Sequence, residues 1–118
     1  MKVNINDNVF KCKVCSSVDS ITKGMMNQTF NHNFDGMIFI MPMQFQQQFW
    51  MYNCLIPLDI IMIDGDTITK INHNCQPCGI EEECEFYSGY GDKVLEVAGG
   101  KCKELGIKEG DKVKTSLY

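Results

Sequence analysis

One carboxylate, Asp59, interrupts the most apolar part of the chain. If residues 55–63 form an extended strand, Asp59 shares a face with aliphatic side chains such as Ile61. A carboxylate in such surroundings is costly unless it is hydrogen-bonded or paired. Asp59 is therefore either an acid with a shifted pKa that anchors a polar ligand, or a structural group that accepts backbone N–H groups or the indole N–H of Trp50. The structural interpretation is favoured, because structural networks also perturb carboxyl groups.

A second group of residues could line a small-molecule pocket. Trp50 is the only tryptophan, and Asn53 follows it three residues later. An aromatic ring beside an amide is typical of a pocket floor, although a lone tryptophan in a strand is more often part of the core. We predict a ligand pocket bordered by Trp50, Asn53, Asp59 and Glu96, with residues 72–91 as its lid.

The third candidate is a cluster of thiols in that lid. Cys75 and Cys78 form a C-x-x-C turn, with His73 before it and Cys84 after it. Reduced or redox-active thiols are the first interpretation. Zinc prefers four nitrogen or sulfur ligands, so a zinc site built from His73, Cys75, Cys78 and Cys84 is an alternative. The chain has seven cysteines, an odd number that excludes complete internal pairing.

The elements that must position these residues are mostly strands. Alternating or continuous apolar runs predict strands, and Asp64-Gly65-Asp66 predicts a hairpin turn between two of them. The predicted strands are 10–14, 36–41 (ended by Pro42), 45–52, 55–63, 67–71, 94–97 and 112–117. Two short helices are predicted, 18–25 after a serine cap and 99–105 ended by Gly106. This pattern favours an antiparallel β-sandwich or a partly closed barrel, formed by a single domain over residues 1–118.

Composition argues against several classes of partner. The net charge is −4, and all eleven basic residues are lysine. An acidic chain without the guanidinium fork is poorly suited to nucleic acid or to anionic membrane surfaces. No signal peptide is recognisable, and the longest apolar run is too short to span a bilayer. We therefore expect a soluble, cytoplasmic protein with a small molecule or a protein as partner, and no nucleic acid or membrane.

Several motifs together resemble a known family. Gly36-Met37-Ile38-Phe39-Ile40, Phe49-Trp50-Met51, Ile56-Pro57-Leu58-Asp59-Ile60 and Gly110-Asp111 occur in the order seen in the family catalogued as domain of unknown function 192. The resemblance spans about residues 10–113 and implies a compact, mostly β domain with no known reaction, substrate or cofactor. Relatives usually carry Lys and Thr where this chain has Tyr52 and Cys54. They often carry a cysteine pair near Cys78 and Cys84, which in exported relatives could form a disulfide. For this chain a disulfide is therefore the second interpretation, after reduced thiols and before a zinc site.

The sequence therefore names no activity. Its best interpretation is a small non-catalytic binding or accessory domain with a pocket near the Phe-Trp-Met and Ile-Pro-Leu-Asp segments. One alternative is an enzyme that uses Asp59 or a loop thiol, and the other is a zinc-stabilised domain. No phosphate-binding glycine loop, nucleophile elbow or His-Glu-x-x-His motif is present.

Overall fold

The computed structural model describes residues 1–80 and 83–117, and these form a mostly β structure. In chain order the elements are β1 (Lys2–Ile5), β2 (Asn8–Cys15), α1 (Val18–Lys23), β3 (Gly36–Phe49), β4 (Leu58–Asp64), β5 (Thr67–Cys75), β6 (Tyr87–Ala98), α2 (Lys101–Leu105) and β7 (Val113–Ser116). None of the helices in this described part of the chain is long and apolar enough to cross a membrane.

The strands form one curled sheet in the order β5-β4-β6-β3-β2-β1-β7. Its two ends approach each other, because Thr67 at the start of β5 pairs with Lys112 just before β7. The amide of Val113 also donates to the carbonyl of Asp66. The result is a half-barrel, which agrees with a partly closed barrel and not with a sandwich.

The sheet is mixed, so the prediction of a purely antiparallel sheet was wrong. Strands β2 and β3 run parallel, with Cys12 opposite Gly36 and Cys15 opposite Phe39, whereas the other strand pairs are antiparallel. Parallel neighbours need a long crossover connection. Residues 16–35, which include α1, provide it and cover one face of the sheet.

The strand β3 is longer than the apolar run suggests. We expected Pro42 to end one strand and a second strand to cover 45–52, yet β3 continues through Pro42 to Phe49. The ladder with β6 is irregular between Ile40 and Phe45. A proline cannot donate to a ladder, and a bulge is one of the few places where a strand tolerates it.

The connection between β5 and β6 is shorter than the loop predicted for 72–91. Strand β5 continues to Cys75 and β6 already begins at Tyr87. The polar residues of β5 are accommodated because β5 is an edge strand of the sheet. Gly91 belongs to β6, where any side chain would collide with the backbone carbonyl of Ile63.

The two helices follow the sequence signals closely. Ser17 caps α1 through a capping box with Ser20, and Gly24 ends the helix. Helix α2 ends at Gly106, whose φ of 71° lies in the left-handed region that glycine adopts easily.

A hydrophobic core lies on each face of the sheet. The inner core, inside the half-barrel, includes Ile61, Leu95 and Val97. The outer core, beneath α1 and the connections, includes Ile60 and Val94. Alternation along β4 and β6 therefore sends successive side chains into different cores.

Candidate functional site

Asp59 lies on β4 and is fully buried. One carboxylate oxygen accepts the amides of Asn74 (2.7 Å) and Gly100 (3.0 Å), and the other accepts the amide of Cys102 (2.8 Å). Hydrogen bonds to a charged acceptor are among the stronger ones in proteins. Asp59 thus fastens the end of β5 and the start of α2 to the inner face of the sheet. Its role is structural, with backbone amides as partners rather than the indole of Trp50.

Asp59 and Glu96 lie on opposite faces of the sheet. Asp59 pairs with Val97 of the inner core, whereas Glu96 pairs with Ile60 of the outer core. The single pocket predicted to bring both carboxyl groups together is therefore not formed. Sequence alternation alone could not show this, because it does not reveal which residues of β4 and β6 stand opposite each other.

Asn53 serves the backbone rather than a pocket. Its φ of 56° lies in the left-handed region, which asparagine tolerates better than most residues. Its N–H donates to the carbonyl of Cys78 (2.9 Å), and its carbonyl accepts from the amide of Asn27 (2.8 Å). These bonds hold the connection between β3 and β4 in place, and with it the two neighbouring side chains, Tyr52 and Cys54.

A cavity of about 230 Å³ opens on the outer face, between α1, β3 and the segment that follows β3. We call it the Glu96 cavity. Trp50 and Glu96 line it, as predicted for a pocket, whereas Asn53 and Asp59 do not. Its other lining residues are Ile21, Thr22, Lys23, Gly24, Met25, Met26, Phe39, Met41, Gln48, Phe49, Tyr52 and Cys54. Aromatic residues and methionines are half of this lining, and Thr22, Lys23, Gln48 and Glu96 add polar groups, a composition typical of small-molecule sites.

Glu96 is the carboxyl group of this cavity. It is only 3% exposed. Within residues 1–80 and 83–117, Glu96 makes no side-chain hydrogen bond. Every fully enclosed side-chain oxygen or nitrogen in these ranges has a hydrogen-bond partner. Because the oxygens of Glu96 have no such partner, they are not fully enclosed and reach the surface of the cavity. Burial raises the pKa of Glu96 from 4.5 to about 8. At neutral pH the group is therefore mostly a neutral acid.

Two cysteines close to Glu96 are held as thiols. Burial, reinforced by the negative charge of Glu96, raises the pKa of Cys54 to about 12 and also raises the pKa of Cys15. The thiolate is the nucleophilic form of cysteine. Lys13 and Ser20 oppose the shift at Cys15, but burial outweighs them, so neither thiol has the lowered pKa of an activated cysteine.

The thiols of the predicted lid are separated from one another. Cys78 and Cys84 form a disulfide, whereas Cys75 is a free, buried thiol with a pKa raised to about 12, first by burial and then by Asp59. Reduced thiols, which we ranked first for all three, apply only to Cys75. The disulfide that we ranked second holds for the other pair.

The positions of these residues bear on both alternatives to a binding domain. His73 is exposed while Cys75 is buried, and Cys78 and Cys84 are bonded to each other, so the structure does not gather the four proposed zinc ligands around one point. Within residues 1–80 and 83–117, no group of three or more His, Cys, Asp or Glu side chains is arranged to hold a metal ion. Both oxygens of Asp59, the acid of the predicted enzyme, accept hydrogen bonds from backbone amides.

Aromatic contacts join the cavity to the disulfide strap, which we define as the described residues 76–80 and 83–86. Phe86 stacks in parallel on Trp50 with ring centroids 6.0 Å apart, and Trp50 also contacts the ring of Tyr52 at 4.9 Å. The amide of Cys78 donates to the carbonyl of Met51 (3.1 Å). One wall of the cavity therefore rests on the strap. The predicted lid thus contacts residues of the cavity wall, through Phe86 against Trp50 and through the bridge between Cys78 and Tyr52.

Sequence reasoning missed several lining residues, including Ile21, Phe39 and Cys54. They come from α1, the first half of β3 and the connection, which are far apart in the chain. The strongest available signal was Glu96 itself, a single charge within the apolar run Val94-Leu95-Glu96-Val97.

These observations define a class of protein: a mostly β half-barrel with an apolar cavity that contains one buried carboxyl group. The chain belongs to the DUF192 family, described as "Uncharacterized ACR, COG1430", whose family model matches residues 1–115. A search of curated proteins finds no match.

Two solved structures share the fold. A protein of unknown function from Novosphingobium aromaticivorans DSM 12444 is 33% identical and superposes with a TM-score of 0.84, over 98% of this chain and 84% of that one. A protein from Sinorhizobium meliloti 1021, described as a candidate transcription regulator, is 23% identical with a TM-score of 0.82, over 96% of this chain and 89% of that one. At that lower identity the second comparison supports the fold alone.

Proposed function

We propose that this chain is a small non-catalytic binding module whose ligand occupies the Glu96 cavity. The observation that carries the proposal is the carboxyl group of Glu96, which is buried, lacks a hydrogen bond within the described residues and opens into a preformed apolar cavity. Burying such a group without a partner is costly. An aliphatic residue, as at the neighbouring positions of β6, would stabilise the fold more than Glu96 does. A ligand that forms the missing hydrogen bonds would explain why a carboxyl group is present at this position.

The size of the cavity limits the ligand. At about 230 Å³ it is smaller than the ~300–1,000 Å³ of pockets that enclose drug-sized molecules. A single ring or a short branched chain with one polar group fits this volume. The polar group would meet Glu96, and the apolar part would contact rings such as Trp50 and Phe49.

Nucleic acid and membrane are not proposed as partners. The net charge of −4 and the absence of arginine weigh against phosphate recognition, so the description of the Sinorhizobium meliloti protein is not extended to this chain. A cytoplasmic location remains our proposal, supported by five free cysteines. In that compartment the disulfide between Cys78 and Cys84 would be reduced for much of the time.

The proposal can be tested by NMR titration with a library of single-ring and short-chain fragments. Binding to the wild type should shift amide signals of α1, the end of β3 and residues 50–54. The variant Cys54→Phe fills the cavity from its wall and should abolish these shifts. Leu55→Phe is the matched control, because Leu55 is 57% exposed and does not line the cavity. Fragments that bind Cys54→Phe as well as the wild type, or that bind nowhere near the cavity, would refute the proposal.

A further inference from the structure

The Glu96 cavity also indicates the charge of its ligand. Provided that the proposed binding function holds, we infer that the ligand carries a cationic nitrogen and that Glu96 binds this nitrogen as a carboxylate. The inference depends on three features: the missing partner of Glu96, the aromatic walls, and the absence of a neighbouring cation from the chain itself.

The walls of the cavity favour positive charge. The rings of Phe39, Phe49, Trp50 and Tyr52 line it, and the face of an aromatic ring carries partial negative charge. A cation within about 6 Å of a ring centroid is attracted to the ring, and more strongly when water is excluded. Thioether sulfurs such as that of Met41 are polarizable and weakly accepting. An anion would meet the negative faces of these rings beside a carboxyl group, so the cavity disfavours it.

The chain does not supply the cation. Lys23 is the basic residue that lines the cavity, but it is exposed at the rim. Among the described residues, the recorded salt bridges join Lys93 to Asp92, Lys101 to Glu104 and Lys112 to Asp66, and none involves Glu96. The burial that raises the pKa of Glu96 is not offset by any nearby positive charge. A positive partner for the carboxylate must therefore come from outside the chain.

Binding of a cation should be linked to release of a proton. The free acid is mostly protonated below pH 8, and an ammonium group in the cavity favours the carboxylate, so the proton passes to solvent. Besides Lys23 and Tyr52 of the cavity wall, the titratable groups that interact electrostatically with Glu96 are the thiols of Cys15 on β2, Cys54 after β3 and Cys75 on β5. All three have raised pKa values, so they remain thiols at neutral pH and do not contribute. The affinity for a cation should accordingly rise about tenfold per pH unit below pH 8 and then level off.

Three compounds of nearly equal shape separate the possibilities. Benzylammonium is cationic, benzyl alcohol is neutral and benzoate is anionic, and each is small enough for the cavity. Their dissociation constants should be measured by NMR titration of the wild type at about pH 6, 7 and 8, a range that approaches the titration midpoint of Glu96 from below. The same titrations should be made on Glu96→Gln and on the control Glu104→Gln, whose side chain is 63% exposed and paired with Lys101.

The expected result is that benzylammonium binds at least about tenfold more tightly than benzyl alcohol at pH 8, with the pH slope given above. Glu96→Gln should lose the slope and most of the preference, and retain only the part due to the rings, while still binding benzyl alcohol, which shows that the cavity remains intact. Glu104→Gln should behave as the wild type.

Other outcomes contradict the inference in distinguishable ways. Equal binding of the alcohol and the ammonium, or a preference for benzoate, would overturn the cationic ligand but leave a binding cavity in place. A preference for benzylammonium that survives undiminished in Glu96→Gln would assign it to the rings alone and would overturn the role of Glu96. Failure of all three compounds to shift any cavity residue would overturn the proposed function together with the inference.

Discussion

Replacement of Glu96 by glutamine should change how the stability of the protein depends on pH. In the unfolded chain Glu96 has its ordinary pKa of 4.5, whereas burial raises the pKa of the folded state to about 8. Below pH 4.5 both states are protonated, and the contribution of this group to stability is complete. Between these values the unfolded chain releases the proton and the folded chain retains it, so stability falls as pH rises. Above pH 8 both states are ionised and no further loss occurs.

The magnitude follows from the two pKa values. One pH unit within this interval corresponds to about 1.4 kcal/mol. Across the interval from 4.5 to about 8 the free energy of unfolding should fall by about 5 kcal/mol because of Glu96 alone. Glutamine has a similar shape and does not ionise, so Glu96→Gln should lack this loss and should gain stability relative to the wild type as pH rises.

Urea unfolding, followed by circular dichroism at steps from about pH 5 to about pH 8, measures the effect. The two histidines are present in both proteins and cancel from the difference. Glu104→Gln is the control, because its exposed carboxyl group should leave the pH dependence unchanged. If the difference between wild type and Glu96→Gln stayed constant within about 0.5 kcal/mol over this range, Glu96 would ionise normally in the folded state and the reasoning would fail.

Three further substitutions test other parts of the structure by urea unfolding. Asp59→Asn sets an amide N–H₂ group against backbone donors and should lower the free energy of unfolding by about 3 kcal/mol, whereas the exposed control Asp7→Asn should stay within about 0.5 kcal/mol of the wild type. An equal effect of both would contradict the structural role of Asp59. Reduction of the bond between Cys78 and Cys84, which closes a loop with a sequence separation of 6, should cost about 2 kcal/mol, and no change on reduction would show that the bond does not form in solution. Gly91→Ala forces a methyl group against the backbone of the facing strand and should cost at least about 2 kcal/mol, so an unchanged stability would contradict this close approach.

Local signals in the sequence correctly predicted several elements of the fold. The serine cap marked the start of α1, Gly106 ended α2, and Gly65 marked the hairpin between β4 and β5. Each of these features depends on the backbone preferences of a few neighbouring residues, which the sequence displays directly.

Long-range features were not predictable in the same way. The parallel pairing of β2 with β3 depends on how residues 16–35 cross the sheet, and no local pattern encodes that path. The extension of β3 beyond Pro42 depends on a bulge that only the partner strand reveals. The polar residues at the end of β5 were predicted as part of a loop. They form a strand because β5 lies at the edge of the sheet, where a strand needs few apolar side chains.

The candidate site shows the same contrast between local features, which the sequence displays, and long-range features, which it does not. Asp59 and Glu96 were both recognisable as charges within apolar strands, but their separation onto two faces depends on the register between β4 and β6. Cys54 was hard to identify as a cavity residue, because its neighbours in space come from three distant segments.

The position of Trp50 has a practical consequence. The only indole in the chain stands at the cavity wall and is stacked on Phe86 of the disulfide strap. Its fluorescence emission should therefore respond both to a molecule that enters beside it and to any withdrawal of the strap. The fluorescence of Trp50 in the unlabelled protein can therefore report both ligand binding in the Glu96 cavity and the redox state of Cys78 and Cys84.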